Sequence, residues 1–320
     1  MSGILVIAET IDGAVAPISY ELLGAARKLA AQGAGTVTAL IAGSEAQAKD
    51  LVAHGADAAI AATNAALTSG PADGYLPAIE AAIQQSGADI VLVGQTSLGR
   101  DLGPALAFKL RTGVAMDCVE LKIDGGRLRV TRSAYGGNAR AEHTWKASLQ
   151  VATVKPKSFD GLEADASRSG AVSTIDAAGE SRVKVLGVSK AESTGIKIED
   201  AAIVVSGGRG LGDQSAFKML EELATLLKGA TGASRAACDL GWYPPSQQVG
   251  LTGKIVSPNL YIAIAISGAS QHMAGMAGSK NIIAINKDAD ANMVKVSKFA
   301  IVEDYKKIVP ALIEEIKKLG

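Results

Sequence analysis

The sequence predicts an α/β protein built as two Rossmann-like domains, each a parallel sheet covered by helices. Three features predict it. Short apolar runs alternate with amphipathic segments through the first half; the alternation restarts in the last third; and five Gly-punctuated polar motifs crowd that last third, three of them directly after an apolar run. A βαβα order argues for a parallel sheet covered on both faces. Strand ends that open into small polar turns form the edge where such sheets bind nucleotide-like ligands. The 320 residues suffice for two domains with a core each.

In order, Ile4–Ala8 reads as a strand, Ile18–Ala31 as a helix, Val37–Ile41 as a strand, Glu45–His54 as a helix and Ala58–Ala62 as a strand. A helix over Tyr75–Ser86, a strand over Asp89–Val93 and a helix over Arg100–Lys109 continue the series. Beyond Thr112 the pattern changes. Val119–Ile123 and Leu128–Val130 flank Asp124-Gly125-Gly126, a hairpin signal. Leu149–Val154 reads as a strand ended by Pro156, and the Ser-, Ala-, Gly- and Asp-rich stretch from Ser158 to Glu180 as a loop or crossing segment. The boundary falls near Ala191–Gly195, giving domains over 1–190 and 191–320. The second series has strands over Ala201–Val205, Leu260–Ile266 and Asn281–Ile285 and a helix over Ser215–Lys228. It closes with a helix over Tyr305–Leu319, where Ile308, Leu312 and Ile316 share a face.

Apolar residues form 48% of the chain and aromatics 4%, a mix that suits Val/Ile-rich strands on Ala-rich helices. The 32 Lys and Arg residues balance 32 Asp and Glu, and no stretch concentrates the basic ones. No nucleic acid partner is therefore expected. No window approaches the ~20 apolar residues of a membrane helix, so no direct membrane insertion is expected either. The chain enters strand-like Ile4–Ala8 with no signal or transit segment in view, and a cytoplasmic location is expected. Cys118 and Cys238 lack a CxxC spacing or a His at ligand spacing and read as buried small hydrophobes. His54, His143 and His272 are too scattered to suggest a metal site.

Ser206–Gly212 sits between a strand and a helix. Its glycines permit close backbone approach, a helix start offers free N–H groups to an anion, and Arg209 adds a fork suited to phosphate. The GxGxxG fingerprint fails, because counting from Gly208 the third Gly position is Asp213; the P-loop pattern fails, because Asp213 and not Lys follows Gly212. The run reads equally as a phosphate cradle or an ordinary left-handed turn. Ser234-Arg235 reads as a loop whose arginine is solvated or ion-paired, and Gln248–Lys254 as a tight loop with a hydroxyl at Thr252. Ser267–His272 is stronger. It follows a buried strand and starts a short helix, which puts His272 in the first turn, where the helix dipole disfavours its cation unless an anion is present. No Ser/His/Asp arrangement, HExxH or paired carboxylates is visible. The chain is equipped to hold a large cofactor and not to convert a substrate with its own side chains.

These motifs, in this order and spacing, resemble the electron transfer flavoprotein α-subunit family. The resemblance rests on VVSGGRG at 204–210, GASRAA at 232–237, QVGLTGKIVSPNLYIAIAISGASQHMAG over Gln248–Gly275, NIIAINKD at 281–288 and IVEDY at 301–305. In the first domain ILVIAE, the run Thr96-Ser97-Leu98-Gly99-Arg100-Asp101-Leu102 and Tyr135-Gly136-Gly137-Asn138-Ala139 extend it over essentially the whole chain. It implies FAD held mainly by the domain over 191–320, a β subunit that completes the site, and a first domain that forms the heterodimer.

Carried over by position, the FAD-binding residues are Arg209, Ser234, Arg235, Gln248, Val249, Gly250, Leu251, Thr252, Ser267, Gly268, Ala269, Ser270, Gln271, His272, Asn286 and Asp304. The resemblance places Arg235 and Thr252 near the flavin ring, with Thr252 towards N5, His272 near the C2 carbonyl, and Asn286 and Asp304 around the adenosine end. It implies an electron carrier with no catalytic residue and no metal. Such a carrier takes electrons from acyl-CoA or related flavoprotein dehydrogenases, as in fatty acid oxidation, and passes them singly to a quinone-linked oxidoreductase. The alternative is the α subunit of an NADH-oxidising, electron-bifurcating flavoprotein complex. Leu251 stands where the family commonly has Gln, and Ser270 where it has an aliphatic residue. Both departures bear on the flavin potential more than on binding.

Overall fold

The structure is a computed structural model that describes residues 3–319 apart from 68–70, 136–138, 182 and 188–195. Gly136, Gly137 and Asn138 of one quoted motif, and the boundary near Ala191–Gly195, lie outside the described residues. The chain divides into two compact units, Met1–Ser189 and Lys190–Gly320.

The first unit runs β1 (Gly3–Ala8), a small hairpin of β2 (Thr10–Ile11) and β3 (Ala14–Val15), α1 (Pro17–Leu29), β4 (Thr36–Ala42), α2 (Glu45–Ala53), β5 (Ala58–Ala62), α3 (Ala72–Ser86), β6 (Ile90–Gly94) and α4 (Ser97–Lys109). It continues with β7 (Val114–Asp124), β8 (Arg127–Ala134), β9 (Ala139–Thr144), β10 (Gln150–Val154) and β11 (Ala171–Ile175). Nine strands form one sheet in the order β11-β5-β4-β1-β6-β10-β7-β8-β9. β1 is buried along its length, because helices cover both faces. Ile4 and Val6 share a core with Leu22 and Leu23 of α1, while Leu5 and Ile7 share the opposite one with Ile79 of α3 and Leu102 of α4. Each such side chain contributes about 1.5–3 kcal/mol by burial. That is why these strands read as unbroken apolar runs.

Two readings are corrected here. Within the stretch expected as a loop, Ala171–Ile175 pairs in parallel with β5. The hairpin is much longer than its apolar runs, and β9 joins it in antiparallel register. Leu128 and Val130 of β8 are fully buried and tie the inner part of this arm to the core. Exposed cross-strand ion pairs line the rest: Lys122–Glu142 and Arg129–Glu142 at 3.2 Å, and Arg140–Glu120 at 2.7 Å.

The second unit runs β12 (Ile203–Gly207), α5 (Phe217–Leu226), β13 (Ala230–Ser234), α6 (Arg235–Asp239), β14 (Gln248–Val249), β15 (Leu260–Ile264), α7 (Ser270–Met276), β16 (Ile282–Asn286), α8 (Asn292–Val296), β17 (Phe299–Val302) and α9 (Tyr305–Leu319). Its six strands are all parallel, in the order β14-β13-β12-β15-β16-β17. β13 and α6 replace the loop reading of Ser234-Arg235, and β14 takes up the first two residues of the Gln248–Lys254 loop. One face packs Val205 and Ile262 against Phe217, Leu220, Val309 and Ile313; the other packs Val204, Tyr261 and Ala263 against Met276 and Met293. The chain winds outward in both directions from β12, so the strand order reverses between β12 and β15. In an open α/β sheet that reversal opens a crevice beyond the strand ends.

Candidate functional site

A cavity of about 610 Å³ lies at that crevice, lined from the ends of β12 (Gly208, Arg209, Gly210), β13 (Ser234, Arg235), β15 (Ala265, Ile266, Ser267) and β16 (Asn286, Asp288). β14 and the turn after it add Gln248 to Thr252, and α7 adds Gln271 and His272. The volume falls within the range of ligand and cofactor sites.

Backbone contacts assemble this edge. The Gly208 N–H donates to the Ile264 carbonyl at 2.9 Å and the Gly210 N–H to the Ala265 carbonyl at 3.3 Å, which draws the β12 and β15 loops together. The Leu251 N–H donates to the Gln271 carbonyl at 2.8 Å, fastening the 248–254 turn to α7. Beside that bond Gly275 and Gly250 pack backbone on backbone: a Cβ at Gly275 would come within 3.0 Å of Gly250 Cα. Thr252 and His272 thereby ride on two elements in direct backbone contact.

Gln248 Nε2 donates to Thr252 Oγ1 at 3.1 Å, so the hydroxyl keeps its own proton to donate elsewhere. Asn286 spends its amide on the backbone, Nδ2 donating to the Ile266 carbonyl at 2.9 Å and Oδ1 accepting from the Asp288 N–H at 3.1 Å. It ties the β15 loop to β16. Arg209 is exposed, and Arg235 pairs with Asp239 at 3.4 Å one helical turn on. Both guanidiniums stand at the rim, able to meet an anion.

His272 is the exception among these polar groups, because it is buried. It sits in the first turn of α7, its N–H donating to the Ala269 carbonyl at 2.9 Å. Nε2 lies 2.9 Å from the Tyr261 hydroxyl, while Nδ1 is buried without a hydrogen-bond partner. Burial pushes its pKa down to about 4, opposed only by a poorly aligned contact with the Val249 backbone. The ring is therefore neutral at neutral pH, with one nitrogen unserved by the protein. An orphaned buried nitrogen in the wall of a cavity suits a cofactor that brings the missing partner.

Of the predicted site residues, the cavity brings together Arg209, Ser234, Arg235, Gln248, Val249, Gly250, Leu251, Thr252, Ser267, Ala269, Gln271, His272 and Asn286. Gly268, Ser270 and Asp304 do not line it. Gly268 lies against the Met293 backbone, and Ser270 Oγ donates to its neighbour Gln271 Oε1 at 3.3 Å. Asp304 starts α9, accepting from the Lys306 N–H at 2.9 Å and pairing with Lys287 at 3.0 Å, and these contacts hold its carboxyl below the usual range. The predicted set lacked Gly208, Gly210, Ala236, Asp239, Ala265, Ile266, Asp288 and Ala291 in the lining, and Tyr261 behind it. A tyrosine in an otherwise aliphatic buried strand is the signal that could have found the last, since a buried phenol requires a partner.

Cys118 and Cys238 are free and buried, which pushes the Cys118 thiol up to about 12 and raises Cys238 as well. Among the described residues no group of three or more His, Cys, Asp or Glu could hold a metal, and no helix is long and apolar enough to cross a membrane.

A doubly wound sheet with a cavity at its switch point, a rim of arginines and a buried histidine defines a binder of a nucleotide-type cofactor. Comparison with known proteins is specific. Residues 4–180 match the electron transfer flavoprotein domain, and residues 197–277 the electron transfer flavoprotein FAD-binding domain. The electron transfer flavoprotein subunit alpha of Bacillus subtilis is 38% identical over 99% of this chain and 98% of its own; that of Thermoanaerobacterium thermosaccharolyticum is 42% identical over the same shares. Protein FixB of Clostridium saccharobutylicum is 40% identical over 99% of this chain and 97% of its own. The chain belongs to the electron transfer flavoprotein family. Its role is that of the α-subunit type, an electron-transferring flavoprotein with FAD as its cofactor.

Proposed function

We propose that this chain seats FAD in the cavity of the unit after residue 190, pairs through the unit before it with an electron transfer flavoprotein β subunit, and works in the cytoplasm. It carries electrons from acyl-CoA or related flavoprotein dehydrogenases to a quinone-linked acceptor. The observation that carries the seat is His272, a buried neutral imidazole in the cavity wall with Nδ1 unpartnered.

FAD, when bound, supplies the redox chemistry, taking up electrons and gathering negative charge along the N1–C2 edge of its ring. The protein's part is binding, orientation and electrostatics. His272 offers a preorganised donor to that edge, and in a water-poor site such a donor favours developing negative charge strongly. Thr252, its oxygen already served by Gln248, donates its proton to a ring acceptor. Arg235 adds positive charge at the rim, and Arg209, beside the Gly208–Gly210 turn, offers its fork to the phosphates. Asn286 shapes the adenosine end through the loops it ties. Asp304 is left out of this set because Lys287 and α9 occupy it.

The test is to copurify the chain with its β subunit and follow the flavin absorbance during reduction. Reduction by a partner dehydrogenase and its substrate, without response to NADH, supports the carrier. Bleaching by NADH alone marks the NADH-oxidising, bifurcating complex instead. A folded pair without flavin refutes the seat.

A further inference from the structure

We infer that Tyr261 is a positioning residue for His272: its hydroxyl donates to Nε2 and so holds the neutral ring as the Nδ1–H tautomer, leaving one N–H donor for the ligand of the cavity. The inference rests on the reading of the cavity as the FAD seat.

Tyr261 is the second residue of the buried parallel strand β15 and is 0% exposed. Its ring meets the imidazole edge-on, with centroids 6.2 Å apart at 61°, and its oxygen stands 2.9 Å from Nε2. Two proton arrangements fit that distance. If Nε2–H donated to the phenol oxygen, the phenol proton would need another acceptor. The Ser206 hydroxyl is the polar group beside it, but Ser206 Oγ is out of hydrogen-bonding geometry. That arrangement would leave a buried phenol proton unserved, at a cost of roughly 1–3 kcal/mol. It would also turn Nδ1 into a buried acceptor with no donor. In the other arrangement the phenol proton is used on Nε2, and the one group left over is Nδ1–H.

The ionisation of both groups agrees with this. Burial drives the phenol far above its ordinary range, so it keeps its proton, and drives His272 down, so the ring has a nitrogen free to accept. The histidine's usefulness as a donor is thus set one step behind the cavity, by a residue that touches no ligand.

The test uses the full chain with its β subunit, loaded with FAD and carrying isotope-labelled histidine. Proton–nitrogen NMR reads which ring nitrogen bears the proton, and the His272 signal is the one missing from His272→Gln. The wild-type protein is expected to show Nδ1–H alone. Tyr261→Phe is expected to lower the ratio of Nδ1–H to Nε2–H by about fivefold or more, as the loss of one hydrogen bond of ~1 kcal/mol allows, while FAD content measured by absorbance is retained. Nε2–H in the wild type, or an unchanged tautomer in Tyr261→Phe, overturns the assignment with the FAD seat intact. A folded wild-type pair without FAD overturns the seat, and the assignment with it. If Tyr261→Phe fails to fold, the wild-type tautomer decides alone, Nδ1–H for and Nε2–H against.

Discussion

Gly208 lies against the Ala265 carbonyl, so close that a Cβ at Gly208 would come within 3.0 Å of that oxygen. Ala265 itself has φ 55°, a left-handed conformation that L-residues rarely adopt, and its carbonyl also accepts from the Gly210 N–H at 3.3 Å. The turn after β12 and the turn after β15 therefore share one fixed position, and both line the cavity. Gly208→Ala should force them apart, costing about 1–3 kcal/mol as overpacking does and weakening FAD binding. Gly212→Ala is the control. Nothing lies within 4 Å of its Cβ, so it should carry only the cost of its φ of +93° and leave FAD affinity nearly unchanged. Urea unfolding and a flavin-binding titration on both variants check this.

The Gly250–Gly275 contact makes a second prediction. Gly275→Ala should lift α7 from the 248–254 turn, and His272 and Thr252 ride on those two elements. FAD affinity should fall more than stability does, because α7 can shift outward at modest expense while the two donors lose their common target. Equal losses in a flavin titration and a urea titration would speak against that linkage.

Much of this architecture is legible from the amino-acid order, and the exceptions share a cause. Strands such as β1, β4, β6, β12 and β15 are buried on both faces and read as apolar runs. β11 and β9 stand at the two ends of the large sheet with many side chains exposed, and β13 is Ala-Thr-Gly-Ala-Ser, so none of the three carries an apolar run. The strand-end motifs point to the site because polar turns after buried strands are a local pattern. The closeness of Gly208 to Ala265, or of Tyr261 to His272, joins residues distant in sequence and depends on strand order. Asp304 shows the opposite limit: its motif matches by position, yet a local lysine and a helix start claim its carboxylate.

Glu9, at the end of β1, gives a pH prediction in the first unit. Burial pushes its pKa up from 4.5 to about 7, against the bond from Thr96 Oγ1 at 2.8 Å. The folded chain thus holds a proton that the unfolded chain releases above about pH 4.5. Its stabilising contribution is complete below that value and is lost as pH rises through about 7, a change on the order of 3 kcal/mol. Glu9→Gln keeps an oxygen for Thr96 and removes the proton linkage. Relative to the parent, the variant should gain stability steadily across that window in urea titrations, and a constant difference would refute the burial of this carboxyl.

His272 supplies the last prediction, with the opposite sign for protons and a second readout in the flavin. Its folded-state pKa of about 4 lies below the ordinary 6.5, so the stability linked to it is present above about pH 6.5 and is lost as pH falls towards 4. His272→Ala removes that titration, and the acid side of the stability profile should flatten relative to the parent. FAD should remain bound, since many other contacts line the cavity. What leaves is one donor to the edge of the ring that gathers negative charge. Losing a hydrogen bond to a charged group, worth about 1.5–3 kcal/mol, should lower the two-electron midpoint potential by about 30–65 mV. A potentiometric titration of the copurified pair reads this directly. An unchanged potential with FAD retained would place His272 away from the charge-bearing edge, whatever its tautomer.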